Sequence, residues 1–477
     1  MNLFSDVLKN ENGGVFFQYF ASLSALLAIV SSGLHYGWPS PALTKLLDPN
    51  SEIPITDDEG FWLATMPLFG AFLGSLTAPV LVDNIGRRKT ILMTSFPYLV
   101  SWILIFFAKS VPILYIGRFT GGISDGWGFS SVPIYIGEIS QAKIRGLLAS
   151  GASVTFIFGV LLINIIGSYL SVKMTALVAC VLPIALLLTF FWMPESPYFL
   201  IMKNRHEDAK KSLQTFIGPK LASTELTRID EAVKEDLSHQ TKSNPLHLFT
   251  VRRNYRAVLV MMLVRGAQQF SGASAIVFYA QNIFDEAGSN ISAHLAAIMY
   301  FSIQVVCTVI GAPLVDKLGR RPLLLVSGVG ASLALLVEGI YFYIKSSTSI
   351  DISNFTLVPI VALILYIIIF SFGLQNVPII IMSEIFNQDI KAVAMCFSDM
   401  YFAAAATATT KFFQITRDRY GMFLPFLCFS IFCGVSTVFI YYFVPETNGK
   451  TLEEIQVYFK GKDAKKKENC TDNNVAV

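Results

Sequence analysis

Two copies of one short charged pattern, Asp83-Asn84-Ile85-Gly86-Arg87-Arg88 and Asp316-Lys317-Leu318-Gly319-Arg320-Arg321, each stand between two apolar stretches. Each half of the chain also carries an acid followed seven residues later by a base, Glu138 with Arg145 and Glu384 with Lys391. Arginine and carboxylate groups at neighbouring helix ends form charge-assisted, partly bidentate bonds, strong enough to latch elements together and weak enough to break. A second set of polar residues lies inside the apolar stretches: the amide pair Gln268-Gln269 and the ionisable His35, Asp125 and Asp399. Amides both donate and accept, which suits an uncharged polar ligand. A charge surrounded by lipid costs a few kcal/mol, so each of the three ionisable groups must face a water-filled path or a partner. Glu338 reads as a residue at the membrane boundary. Catalysis finds no comparable footing. The chain has only five His, with no metal-spaced His/Cys cluster, no nucleotide-binding glycine loop and no nucleophile triad. A non-enzymatic protein without cofactor or metal is expected.

These groups must be positioned by membrane-spanning helices. Hydrophobic residues make up 53% of the 477 and charged ones only 14%, and the mean hydropathy is +0.57; a water-soluble domain could not bury so much apolar surface. About twelve stretches are long enough to cross ~30 Å of hydrocarbon at ~1.5 Å per residue: 15–37, 60–82, 90–108, 112–134, 147–169, 173–193, 256–280, 292–315, 322–343, 357–381, 391–413 and 421–443. Their near-continuous apolar runs lack the alternation of a membrane barrel, so the fold class is an all-α membrane protein.

The pattern repeats along the chain. Asp316 follows Asp83 by 233 residues, Glu384 follows Glu138 by 246 and Pro445 follows Pro194 by 251. Three features recurring in one order make the architecture a tandem duplication: twelve transmembrane helices in two six-helix halves. The expected division is a cytoplasmic N-terminus over 1–14, a first half over 15–193, a linker over 194–255, a second half over 256–443 and a tail over 444–477. Leu226, Ile229, Val233 and Leu237 at helical spacing make the linker a set of amphipathic cytoplasmic helices. Lys and Arg concentrate in loops 83–89, 143–145, 194–255 and 316–321 and in the tail, which places both termini in the cytoplasm. Lys411, Arg417 and Arg419 fall on the opposite side and disagree. No cleavable signal sequence is expected, because the first fourteen residues are polar. The sequons at Asn290 and Asn354 fall on the outer face, making a glycoprotein the expectation; a third, at Asn469, would be cytoplasmic. Six cysteines, five of them in predicted spans, form no disulfide framework, and a net charge of +3 reflects the basic loops and gives no reason to expect nucleic acid binding.

Further motifs carry a family resemblance. They are Gly117-Arg118-Phe119, Pro133-Ile134-Tyr135-Ile136-Gly137-Glu138-Ile139-Ser140 followed by Arg145-Gly146, Pro194-Glu195-Ser196-Pro197-Tyr198-Phe199-Leu200, Gln268-Gln269-Phe270-Ser271-Gly272 and Pro445-Glu446-Thr447-Asn448-Gly449-Lys450-Thr451. From about residue 15 to residue 455 the chain resembles the sugar porters of the major facilitator superfamily, close to the glucose and trehalose facilitators of animals such as insects. The resemblance implies a plasma-membrane transporter that moves a sugar, a hexose or a disaccharide such as trehalose, through the lipid bilayer by alternating access. Two alternatives stay open: a proton-coupled sugar symporter, and a non-transporting sugar sensor on the same fold.

By the same resemblance, a cytoplasmic gate is assigned to Arg87, Arg88, Arg118, Glu138, Arg145 and Glu195 in the first half and to Arg320, Arg321, Glu384 and Lys391 in the second. Some of these could equally satisfy helix ends or set topology. The sugar-binding amides of the family correspond to Gln268 and Gln269. Ser153 stands at a family Gln position, Ser274 and Gln304 at Asn positions, Ile379 at a Trp position and Asp399-Met400 at an Asn-Trp pair. Ser153, Gln268, Gln269, Ser274, Gln304 and Asp399 are therefore the substrate-binding candidates. His35 falls where proton-coupled members carry Asp, so His35, Asp125 and Asp399 are the candidates for proton coupling; the alternative is that each is only hydrogen-bonded within the bundle. Gly121, Gly122, Gly126 and Gly128 permit close helix approach, and Pro378 can kink the tenth span.

Overall fold

The structure, a computed structural model, describes residues 13–239, 247–348, 355–386, 388–450 and 454–455. Asn354, Asn469, Cys470 and most of both termini lie outside the described residues, as do the side chains of Leu237 and Lys391. The described residues are mostly helical and include no strand. The first spans are α1 (Gly13–Gly37) continued by α2 (Pro39–Leu46), α3 (Asp57–Asn84), α4 (Arg87–Phe107), α5 (Val111–Ile139) and α6 (Ala142–Tyr169). The sixth span is two pieces, α7 (Val172–Ala179) and α8 (Val181–Phe190), because Pro183 cannot donate to the carbonyl four residues before it. Next come α9 (Pro197–Met202), α10 (His206–Ile217), α11 (Pro219–His239) and α12 (His247–Thr250). The later spans are α13 (Arg252–Phe270), α14 (Ala273–Phe278), α15 (Ala280–Ala287), α16 (Ala293–Leu318), α17 (Arg320–Ser347), α18 (Val358–Phe372), α19 (Val377–Ile385), α20 (Gln388–Tyr420) and α21 (Phe423–Phe443).

Among the described residues nine stretches are long and apolar enough to cross a membrane. The remaining three of the twelve spans are those built on α5, α13 and α20, and each is made less apolar by charge. Arg118, Asp125 and Glu138 interrupt α5, Arg265 interrupts α13, and Asp399 and Lys411 interrupt α20. The outward faces carry large apolar side chains such as Trp192, 74% exposed, and Leu188, 69% exposed. A surface of this kind is stable against lipid and not against water.

Packing divides the chain into two units, Met1–Thr241 with Ala275–Val305, and Lys242–Ser274 with Val306–Val477. In the first, a core of Phe17, Leu26, Ile29, Ile91, Tyr135 and Phe190 extends down to Phe216 of α10. The segment 275–305 joins this unit through Gln281, whose Nε2 donates to Ser168 Oγ at 2.8 Å, and through ring contacts of Phe278 with Tyr36 and His294 with Tyr169. Leu226, Ile229 and Val233 of α11 pack on Leu200 and Ile201 of α9, so the 3.6-residue spacing read from the sequence does form an amphipathic helix pair. In the second unit α20 runs seven residues beyond the expected end at 413. Arg417 and Arg419 occupy its last turn, with Arg417 paired to Asp418 at 2.7 Å. Cations there complement the carbonyl end of the helix, which accounts for basic residues on the unexpected side.

Helices α3 and α5 touch backbone to backbone. A Cβ on Gly122 would lie 2.1 Å from the Pro67 carbonyl oxygen, whereas one on Gly128 would meet nothing nearer than Ile29 Cδ1 at 3.9 Å. Gly122→Ala is therefore expected to push the helices apart and destabilise the first unit by about 1–3 kcal/mol, while Gly128→Ala leaves it unchanged. Thermal unfolding of the two purified variants in detergent checks this; equal melting temperatures would contradict the packing argument.

Candidate functional site

The duplicated charged pattern forms one construction twice. Gly86 (φ 110°) and Gly319 (φ 90°) hold backbone conformations that side-chain-bearing residues rarely adopt, and each begins a helix, α4 or α17. The exposed N–H groups at these helix starts are capped by a carboxylate from a distant segment. Arg88 N donates to Glu195 Oε1 at 3.0 Å, and Arg320 N and Arg321 N donate to Glu446 at 3.1 and 3.0 Å. A carboxylate at this end opposes the helix dipole favourably. The first arginine of each pair turns inward. Arg87 Nε lies 3.1 Å from Glu138 Oε2 and its Nη1 3.4 Å from Asp83, and Arg320 Nη2 lies 2.9 Å from Glu384 Oε1. The second arginine of each pair donates to a span-end carbonyl, Arg88 to Phe191 and Arg321 to Tyr441. Ser196 Oγ completes the first cluster on Glu138, and Asn448 Oδ1 completes the second by accepting from Arg320 at 2.6 Å.

Two members of the expected gate, Arg118 and Arg145, make other contacts. Arg118 stands seven residues into α5, twenty residues before Glu138 and thus about 30 Å away along the helix; its Nε donates to Leu63 O at 3.0 Å and its Nη1 to His35 O at 2.6 Å. Arg145 does not meet Glu138. The helix ends at Ile139 and restarts at Ala142, so a seven-residue spacing is not two helical turns, and Arg145 Nη2 donates instead to Ser140 O at 3.0 Å. The side chain of Lys391 lies outside the described residues. Glu446, overlooked as a gate residue, was detectable because Pro445-Glu446 repeats Pro194-Glu195.

His35, Asp125 and Asp399 each have a partner, whereas Glu338 has none among the described residues. His35 is fully buried, with its ring 4.2 Å from Trp102 and 5.2 Å from Tyr98. Arg118 lies against it, 3.4 Å from its Nδ1, with the guanidinium 4.9 Å from the Trp38 ring. Asp125 Oδ1 accepts from Tyr98 OH at 2.7 Å. Glu338, expected at the membrane boundary, is instead wholly buried in α17, and neither carboxyl oxygen has a hydrogen-bond partner among the described residues.

Two helix breaks organise the amides of the second unit. The seventh span is interrupted at Ser271-Gly272 and the tenth at Gly373–Asn376, so Pro378 begins a new helix rather than kinking a continuous one. Irregular backbone at membrane depth persists only where protein or a water-lined path satisfies it. Here Gln375 O accepts from Gln268 Nε2 at 3.2 Å, and Gln375 Nε2 donates to Thr308 Oγ1 at 3.1 Å. Gln269 Oε1 accepts from Ser274 Oγ at 2.6 Å. Asp399 joins this unit through Arg265, whose Nη2 lies 3.4 Å from its Oδ1. Arg265 was not foreseen; an arginine inside an otherwise apolar run was the available signal. Ser153, half-buried on α6, and Gln304, buried on α16, belong to the first unit. Ile379 is 43% exposed.

Burial pushes the Glu446 carboxyl up, but the N–H groups of Asn448, Arg320, Arg321 and Thr447 outweigh it and hold the group below the usual glutamate range. A carboxyl more acidic in the folded than in the unfolded state stabilises the fold above the unfolded pKa of ~4.3, and that contribution is lost as pH falls through the folded value. Glu446→Gln should thus cost about 1–2 kcal/mol at pH 7, and the gap between variant and wild type should close in acid. Melting temperatures of both proteins across pH test the sign; a gap that widens in acid would refute it.

A model of the sugar (and other) transporter family matches residues 36–459. The facilitated trehalose transporter Tret1 of Aedes aegypti is 33% identical over 448 residues, which are 93% of this chain and 55% of that protein. Tret1 of Culex quinquefasciatus is 32% identical over 444 residues, 92% of this chain and 85% of that protein. The chain thus spans about half the length of some relatives, the Aedes protein among them. Among solved structures, the inward-open xylose transporter XylE from E. coli superposes with a TM-score of 0.75 at 22% identity, covering 92% of this chain and 98% of that one. The fold is accordingly that of the major facilitator superfamily, and the chain belongs to the sugar (and other) transporter family.

Proposed function

We propose that the chain is a facilitative transporter that moves a neutral sugar, a hexose or a disaccharide such as trehalose, across the plasma membrane by alternating access, with both termini in the cytoplasm. The observation that carries this reading is the convergence of Gln268, Gln269 and Ser274 beside two interrupted helices at membrane depth. Uncharged groups that donate and accept match a ligand rich in hydroxyls. The names of the Tret1 relatives support a disaccharide of this class, and the basic inner loops support the orientation. The capped arginine clusters fit a gate whose bonds are re-formed in each cycle.

Proton-coupled symport is the second reading, favoured by the buried His35–Arg118 contact and the Tyr98–Asp125 hydrogen bond within one helix bundle. The two readings separate in lightly buffered cells, where symport alkalinises the medium when sugar is added and facilitated diffusion does not.

Uptake of labelled glucose, fructose, trehalose and polyols by hexose-uptake-deficient cells expressing the protein should be saturable for at least one sugar and should not concentrate it above the external level. Gln269→Ala should raise the apparent KM about five- to tenfold, the value of one lost hydrogen bond near 1–1.4 kcal/mol. No uptake of any sugar despite surface expression would remove the proposal.

A further inference from the structure

Arg265 stands thirteen residues beyond the start of α13, about 20 Å along the helix and therefore well inside the bilayer. Arginine at that depth costs several kcal/mol unless it is paired or wet. It is 7% exposed and fully engaged in the second unit. Nη1 donates to Gln268 Oε1 at 3.1 Å, Nε to Ser398 Oγ at 3.2 Å, and Nη2 lies 3.4 Å from Asp399 Oδ1. The guanidinium also sits 5.1 Å from the centre of the Phe402 ring.

The two partners of the ion pair are unequally accessible. The Asp399 side chain is 46% exposed and that of Arg265 only 8%, and Asp399 Oδ2 makes no hydrogen bond among the described residues. A carboxylate open on that scale within a membrane-spanning helix must face water rather than lipid. Gln268, by contrast, has its oxygen committed to Arg265 and an amide hydrogen committed to Gln375 O. A ligand arriving beside Gln268 therefore meets an acceptor-only, negatively charged group whose compensating charge is held behind it.

We propose that Arg265 and Asp399 act as a charge filter for the transported sugar. Asp399 accepts hydrogen bonds from hydroxyl groups and disfavours carboxylate- or phosphate-bearing sugars, and Arg265 is the positioning residue that orients both Asp399 and Gln268. This rests on the sugar-transport reading above, and it assigns that site a substrate class: neutral or amine-bearing sugars, with anionic ones excluded. The planar, three-way reach of the guanidinium is essential to the arrangement, since a lysine ammonium cannot span Gln268, Ser398 and Asp399 in one fixed plane.

The test compares binding of glucose, glucosamine, whose amine is mostly protonated at pH 7, and glucuronate. Each sugar is used as a competitor of labelled-sugar uptake and as a ligand in thermal-shift titrations of the purified protein. The wild type should bind glucosamine at least as well as glucose and glucuronate at least about tenfold more weakly, a difference near 1.4 kcal/mol. Asp399→Asn leaves the Arg265 charge uncompensated, so it should weaken glucose about tenfold and bring glucuronate binding within reach. The double variant Arg265→Gln with Asp399→Asn removes both charges and should abolish the glucosamine-over-glucuronate preference; it also serves if the single variant does not fold. Arg265→Lys should keep the exclusion of glucuronate while losing glucose affinity. An unchanged preference in the double variant, or in Asp399→Asn an unchanged glucose affinity with glucuronate still inert, would overturn the filter. If the wild type transports none of these sugars, the transport reading fails, while the order of the three ligands in the thermal shift still decides the filter.

Discussion

A hydrocarbon surround cannot solvate an N–H group, a carbonyl or a charge, and the rest of this molecule follows from that constraint. Helices dominate because they satisfy their own backbone. Most charged side chains inside them belong to local sets, Tyr98 with Asp125, Arg118 with the carbonyls of His35 and Leu63, and Arg265 with Gln268, Ser398 and Asp399, while Glu338 is buried without a hydrogen-bond partner among the described residues. The spans that carry these charges are also those whose apolar character is diluted. The polarity is concentrated in a few helices, leaving the others free to face lipid.

The charged helix ends solve the same problem differently. Helices α4 and α17 begin with arginines, which would ordinarily be unfavourable beside the positive end of the helix dipole. Glu195 and Glu446 overcome this by placing a carboxylate on the free N–H groups, and the following arginine of each pair is drawn to a span-end carbonyl. The carboxylate arrives from the segment immediately after the sixth or the twelfth span. The clusters therefore tie the first turn of the third span to the end of the sixth and that of the ninth to the end of the twelfth, and the same chemistry appears in both copies of the duplication. A cluster made of a few largely buried ion pairs and caps holds firmly without being permanent.

The breaks in the seventh and tenth spans are the complementary device. Unwinding frees backbone groups that must find new partners, and the side chains of Gln268 and Asn376 supply them, donating to the carbonyls of Gln375 and Ser371. Side chains that serve the backbone in this way are held in fixed orientations, which is what recognition of a ligand with many similar hydroxyl groups requires.

Much of this was legible in the sequence, for identifiable reasons. Apolar runs of membrane length, the three recurring offsets and the placement of basic residues depend on local composition, so they established the helices, the duplication and the pairing chemistry before any coordinates. The periodicity of Leu226, Ile229 and Val233 likewise produced the helix it implied. What sequence spacing could not convey was where each charge finds its partner. Glu138 and Arg145 are near in sequence but parted by a helix end, while Arg87 reaches Glu138 across 51 residues and Arg265 reaches Asp399 across 134. The distant position of Arg118, the burial of Glu338 and the ion pair beside Gln268 were decided by tertiary packing alone, because a buried charge is satisfied by whichever helix the fold brings against it and not by its neighbours along the chain.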